Sequence, residues 1–171
     1  MKKLHKKLLY FNMKKYVLLF ILLFESITSF SQTEVQRIKN FNVDSKHIAI
    51  GGYDPVSYLE NNKAVKGSDN ISSAFNGITY YFSTKKNLET FKKNPDKFEP
   101  AFGGWCAYAM GNSGEKVEVD PKTFKIINGK TYLFYNFYFN NTLKSWNKDE
   151  KNLKSKAEVN WNTILMKSPT K

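Results

Sequence analysis

The chain has 171 residues, enough for one domain with its own hydrophobic core but not for several. It carries 27 Lys and Arg against 15 Asp and Glu, a net charge of +12, and its lysines are spread along the chain. This spread favours a solvated basic surface, and with the export predicted below it argues against nucleic acid as a partner. A weak attraction to anionic lipids or glycans is compatible with it.

Residues 1–31 have the features of a secretory signal peptide. Two lysines precede the apolar run 17–24, and Ser29 and Ser31 place small side chains ahead of a cleavage site before Gln32. The run is eight residues long, whereas a membrane span needs about 20, so we expect cleavage and no transmembrane segment in the mature chain. The predicted product is exported, either periplasmic or secreted. Met13 with the two lysines after it is an alternative start.

The mature chain divides into a polar N-terminal segment (32–46), one domain with a helical C-terminal extension (47–166) and a short tail (167–171). The N-terminal segment predicts either a short helix or a disordered arm. Residues 47–50 predict a short strand that leads into the Gly51-Gly52 bend. Asp54-Pro55 is typical of a turn or a helix start, with Asp54 capping a backbone amide.

Two Asn-Gly dipeptides between apolar runs, at 76–77 and 128–129, predict two-residue hairpin turns. After the first hairpin, Ser83 or Thr84 can cap a helix that buries Leu88 and Phe91 and ends at Asn94-Pro95. A helical turn is expected at 105–110, stopped by Gly111.

Val117 and Val119 suggest a strand that ends at Asp120-Pro121. The apolar spacing of 143–164 predicts two helices separated near 147–149. The expected fold is α+β: a small antiparallel sheet built from two hairpins, short helices between them and a helical C-terminal cover.

Cys106 is the only cysteine, and after cleavage His47 is the only histidine. A single cysteine cannot form an internal disulfide, so it is buried, bound to a ligand or paired with another molecule. A single histidine excludes catalysis by two histidines and an all-histidine zinc site.

Cys106 is the first candidate for chemistry. At a helix start its thiolate would be stabilised, and Met110 lies four residues further on the same face. A thiolate and a thioether favour Cu(I), with His47 or Tyr53 completing the site, so copper is the candidate cofactor. One alternative is a buried small hydrophobe, and another is a catalytic nucleophile with His47 as its base.

A ligand pocket is predicted between segments 51–58 and 103–108. Its candidate residues are Tyr53, Asp54, Tyr58, Gly103, Gly104, Trp105, Cys106 and Tyr108. Six aromatic residues also crowd into positions 132–139, either as core and cover or as an exposed surface for a sugar, a flat cofactor or a partner protein.

These motifs occur in one order: GGYDPVSY at 51–58, FNGITYYFS at 75–83, Phe91, NPDKF at 94–98 and GGWCAY at 103–108. The order resembles the YHS domain family, in its exported form with a glycine–glycine–aromatic–cysteine block. The resemblance implies a binding module and, in shorter relatives, a metal site of three cysteines. The matching positions here are Ser57, Ser83 and Asn87, so that site does not carry over.

The leading hypothesis is therefore a non-catalytic, exported YHS-type module that binds a small ligand or soft metal ion near Cys106. The alternatives are a thiol-dependent enzyme that uses Cys106 with His47, and a structural or partner-binding envelope domain that uses an aromatic surface.

Overall fold

The computed structural model describes residues 33–167, and the predicted signal peptide and cleavage site lie outside them. The seven helices of this part are α1 (Glu34–Asn40), α2 (Pro55–Asn61), α3 (Lys85–Lys93), α4 (Pro95–Phe98), α5 (Ala107–Asn112), α6 (Thr142–Trp146) and α7 (Glu150–Lys167). The strands are β1 (Ser68–Phe75), β2 (Ile78–Phe82), β3 (Asp120–Ile127), β4 (Lys130–Phe134), β5 (Asn136–Phe137) and β6 (Asn140–Asn141). The predicted α+β class is confirmed.

Both predicted hairpins are present. β1 pairs with β2 around Asn76-Gly77, and β3 pairs with β4 around Asn128-Gly129. Each ladder is antiparallel and contains one irregularity near its open end. The hairpins form separate two-stranded ladders, and β5 and β6 add a third, two residues long on each side, that the sequence did not indicate.

The core of the first hairpin gathers around Phe91 of α3. Its ring contacts the rings of Phe75, Tyr80, Phe82 and Phe98 at centroid distances of 4.9–6.4 Å. Phe91 is almost fully buried, as predicted, and so is Phe98. Thr84 caps α3 through its side chain, and the helix ends before Asn94, also as predicted.

A second apolar cluster joins β4 to the C-terminal helices. Phe134, Trp146, Met110 and Ala157 are all fully buried within it. At Gly111 the backbone of α5 comes so close to α7 that an added Cβ would lie 2.4 Å from the carbonyl oxygen of Leu153. Only glycine permits this approach, and α5 consequently runs through Gly111 to Asn112 instead of stopping at it.

The N-terminal segment forms a short helix. Thr33 and Gln36 make a reciprocal capping box at the start of α1. Phe41, directly after α1, packs edge-on against Trp161 of α7, 5.9 Å between ring centroids. The first residues of the described chain are therefore packed against the domain.

The strand predicted between α5 and the second hairpin was wrong. Val117 and Val119 do not form a strand, and β3 begins at Asp120 where a strand end was expected. The backbone amide of Cys106 donates to the carbonyl of Val117 instead, 2.9 Å away.

No helix in 33–167 is both long and apolar enough to cross a membrane.

Candidate functional site

Cys106 lies at the centre of the core, with its side chain fully buried. It is the N-cap residue of α5, so it lies just before the first turn of this helix and not, as was predicted, within that turn. Its Sγ accepts a hydrogen bond from the backbone amide of Tyr135 at 3.4 Å and lies 3.4 Å from the hydroxyl of Thr142. The thiol thus joins α5 to the chain on either side of the third hairpin.

Of the residues predicted for a copper site, Cys106 and Met110 are fully buried and His47 is exposed. His47 lies directly after a turn, beside β2, where its carbonyl accepts from the amide of Thr79. Met110 is fully buried but packs in the second apolar cluster, whereas Cys106 belongs to the first. Within 33–167, no cluster of three or more His, Cys, Asp or Glu side chains could hold a metal ion. Within 33–167, the hydrogen-bond partners of the Cys106 thiol are Thr142 and Tyr135, and no hydrogen bond joins it to His47.

Several residues of the predicted ligand pocket pack against other parts of the domain. A Cβ at Gly103 would lie 2.8 Å from the ring of Trp161 and 3.0 Å from Phe41. The buried hydroxyl of Tyr58 donates to the carbonyl of Pro121 at 2.8 Å, and burial raises the pKa of this phenol well above its usual range. The indole of Trp105 donates to the carbonyl of Asn40 at 2.6 Å. These groups are committed to internal contacts.

Of the remaining pocket residues, Gly104 is buried, while Tyr53 and Tyr108 are partly buried and pack against the first apolar cluster. A groove of about 390 Å³ lies elsewhere, between the end of α5 and α7, and it shares none of these residues.

Asp54 is the most densely bonded carboxylate of the described chain. It is fully buried and caps α2, with Oδ1 accepting from the amides of Val56 and Ser57. Its Oδ2 accepts from the amide and the hydroxyl of Ser83, at 2.8 and 2.6 Å, and from Nδ2 of Asn87 at 2.7 Å. The predicted capping role is confirmed, and three donors from β2–α3 are added to it.

Ser57, Ser83 and Asn87 thus converge on one carboxylate, with 3.3–3.5 Å between their side-chain polar atoms. They occupy the positions where the resemblance places cysteines in metal-binding relatives. Ser83 and Asn87 donate side-chain hydrogen bonds to Asp54, and the cluster offers hydroxyl, amide and carboxylate groups where a soft metal ion prefers thiolates. The residues present do not fit a soft metal ion.

A second buried network was missed by the sequence analysis. The guanidinium of Arg37 pairs with the carboxylate of Glu99, and Tyr80 donates to the same oxygen at 2.5 Å. All three side chains are nine-tenths buried or more. Burial and the nearby Glu99 charge raise the pKa of Tyr80 well above its usual range. The network fastens α1 to the core.

The six aromatic residues of 132–139 include buried and exposed side chains. Tyr132 and Phe134 are buried, whereas Phe137 is 41% exposed, Tyr138 is 91% exposed and Phe139 is as exposed as in an extended peptide. We call these last three residues, 137–139, the aromatic tip. Tyr138 and Phe139 form the turn between β5 and β6.

The turn of the aromatic tip has an unusual backbone. Tyr138 and Phe139 both have positive φ, at 50° and 62°. Asn76-Gly77 has 47° and 82°, and Asn128-Gly129 has 50° and 73°, so all three hairpins use mirror-image turns. Bulky side chains are rarely found in this region of φ, because Cβ approaches the next carbonyl.

The stretch of sequence that contains the tip is basic. Between Pro121 and Lys148 the chain has five lysines and no aspartate or glutamate. Lys125 pairs with Glu150, and Lys130 donates to the carbonyl of Asp96. Lys122, Lys144 and Lys148 are exposed and form no ion pair within 33–167.

Comparison with known proteins gives no further assignment. No family model, curated protein or solved structure matches the chain. The likeness to the YHS family therefore stays a prediction from the order of the motifs.

Proposed function

We propose that this chain is a non-catalytic, exported binding module of the YHS type, and that it engages its partner through the aromatic tip. The partner is held against the outside of the domain. This corresponds to the aromatic-surface alternative of the sequence analysis, with the site moved from Cys106 to residues 137–139.

The observation that carries the proposal is the contrast between the three hairpin turns. Two of them use Asn-Gly, which adopts the required backbone with little strain. The third places Tyr138 and Phe139 in the same conformation, at a cost of about 1–2 kcal/mol for each residue. Both rings are also left in water. Residues that cost stability and pack against nothing are expected where they contribute to binding.

Two further observations favour a binding role over the thiol enzyme. A nucleophilic cysteine requires access to substrate and a base within hydrogen-bond reach. Cys106 is fully buried and hydrogen-bonded to Tyr135 and Thr142. His47 is exposed directly after a turn, and no hydrogen bond within 33–167 joins it to Cys106. The same burial keeps Cys106 away from a metal ion in solution.

The test is co-sedimentation with a total cell-envelope preparation, which contains lipids, glycans and proteins. The chain is expressed at full length and its exported product is purified, with its mass fixing the N-terminus. The tip variant is Tyr138→Asn with Phe139→Gly, which gives the third hairpin the same turn dipeptide as the other two. The control is Met166→Ser, which removes an exposed apolar side chain from α7.

We expect the parent and Met166→Ser to sediment with the envelope and the tip variant to stay in solution. Equal sedimentation of the tip variant and the parent would contradict the proposal. Because the variants differ only at the named positions, any contribution from residues 1–32 is common to all of them.

A further inference from the structure

The aromatic tip is convex. Tyr138 and Phe139 have more than nine-tenths of their surface exposed, and the ladder that carries them is only two residues long. A sugar or a flat cofactor binds in a concave site with converging polar groups, and the tip offers neither. Two projecting aromatic rings are better suited to a deformable partner that can surround them.

Aromatic side chains with this exposure suit the boundary between lipid headgroups and acyl chains. Tyr is enriched at that boundary because its ring is apolar and its hydroxyl can stay hydrated. Phe139, beside Tyr138, contributes a purely apolar ring that would lie deeper. Phe137 adds a partly exposed ring, and its other face packs on Tyr135 with 5.1 Å between centroids.

Three exposed lysines flank the tip in the sequence, and Asp120 and Asp149 bound this stretch of chain. Lys122 adjoins Thr123, whose hydroxyl accepts a hydrogen bond from Asn136 at the base of the hairpin. Lys144 follows the last residue of β6 by three positions, and Lys148 lies after α6. Exposed lysines that form no ion pair are attracted to an anionic lipid surface, each strengthening binding by about fivefold.

Resting on the proposed function, we infer that the partner of the aromatic tip is an anionic lipid surface. The rings of residues 137–139 enter the headgroup region, and Lys122, Lys144 and Lys148 contact the lipid phosphates. Binding is peripheral and reversible, and it requires both the rings and the lysines.

The test uses protein-free vesicles of phosphatidylcholine, with and without phosphatidylglycerol, and the same exported protein. Affinity is measured by co-sedimentation at low and high salt for the parent, the tip variant and Lys144→Gln/Lys148→Gln. The charge-matched control is Lys85→Gln/Lys86→Gln, which removes two exposed lysines from α3. Met166→Ser again controls for the loss of an exposed apolar side chain.

We expect the parent to bind vesicles that contain phosphatidylglycerol about tenfold or more tightly than phosphatidylcholine alone, and to lose affinity in high salt. The tip variant should bind about tenfold or more weakly, and Lys144→Gln/Lys148→Gln about fivefold more weakly per lysine. Both controls should bind as the parent does.

Equal binding to the two kinds of vesicle, or no binding to either, would overturn the lipid inference. If the protein does not bind the vesicles but its sedimentation with the envelope still depends on the tip, the partner is a protein or a glycan and the proposed function stands. If the tip variant sediments with the envelope as the parent does, both proposals fall.

Discussion

Asn87 donates its side-chain amide to Oδ2 of Asp54 across 2.7 Å, joining α3 to the cap of α2. Asp54 is fully buried, and every hydrogen bond that its carboxylate accepts comes from a neutral donor. The cluster is therefore a structural tie between three segments. In this chain it holds a carboxylate at positions where the family resemblance suggests a metal site.

Replacing Asp54 with Ala should reduce the free energy of unfolding by about 3–5 kcal/mol, because it removes a helix cap and leaves the donors from Ser83 and Asn87 without an acceptor. Urea denaturation measures this. The matched control is Asp120→Ala, which changes the chain's other Asp-Pro dipeptide. Asp120 is only partly buried and accepts from Lys122 and Thr123, so the expected loss there is about 1 kcal/mol. Similar losses of unfolding free energy in the two variants would show that the Asp54 cluster does not hold the three segments together.

Arg37→Met should destabilise the fold by about 3–5 kcal/mol, because it leaves the buried carboxylate of Glu99 without its cation. Adding Glu99→Gln should recover part of the loss, since a neutral amide can still accept from Tyr80. A double-mutant cycle in urea measures the coupling. Lys92→Met, which breaks the exposed pair with Glu89, should change stability by less than about 0.5 kcal/mol. Additive effects of Arg37→Met and Glu99→Gln would show that the pair is not coupled.

Stability should fall as pH rises above about 10, the ordinary pKa of tyrosine. Burial raises the folded-state pKa of Tyr58 and Tyr80, so the unfolded chain loses these protons first. Their contribution is fully present below pH 10 and is lost as pH rises from there towards the folded pKa. Tyr58→Phe and Tyr80→Phe should each flatten the decline, whereas Tyr138→Phe, on an exposed ring, should not. An unchanged slope in all three variants would count against this assignment.

The thiol of Cys106 should react with an alkylating reagent only as fast as the protein unfolds, because the side chain is fully buried. Adding urea below the transition should accelerate the reaction. Cu(I) should give the parent and Cys106→Ser the same change in melting temperature. Rapid alkylation at neutral pH, or stabilisation by Cu(I) that needs Cys106, would restore the alternatives centred on this residue.

Exchanging turn dipeptides should shift stability in opposite directions. Tyr138→Asn with Phe139→Gly relieves the strain of two left-handed residues and should stabilise the fold by about 1–3 kcal/mol. Asn128→Tyr with Gly129→Phe imposes the same strain on β3–β4 and should destabilise it. Gly129 suits this test because nothing lies within 4 Å of an added Cβ. Thermal melting of both variants measures this. Melting temperatures that shift in the same direction would contradict backbone strain in the third hairpin turn.

The sequence was informative wherever one local signal determined the structure. Asn76-Gly77 and Asn128-Gly129 predicted their hairpins because the dipeptide itself favours the turn. The cap at Asp54 and the burial of Phe91 followed from local spacing as well. Cys106 was placed in the correct region, with burial as one of its stated alternatives.

The features that were missed depend on distant contacts or on residues that oppose the local preference. Arg37 and Glu99 are 62 positions apart, so no spacing rule connects them. The hydrogen bonds from Ser83 and Asn87 to Asp54 depend on how α2 packs against α3, which the sequence does not give. The third hairpin could not be predicted because Tyr138-Phe139 is unfavourable in such a turn. The positive φ values of these two bulky residues are what mark the aromatic tip as a candidate site.

The most direct test of the account measures envelope binding and stability on the same Tyr138→Asn/Phe139→Gly protein. The account predicts a variant that melts at a higher temperature than the parent and no longer sediments with the envelope, because the aromatic side chains cost stability and contribute binding. A variant that is more stable and still binds like the parent would show that the tip is not the working surface.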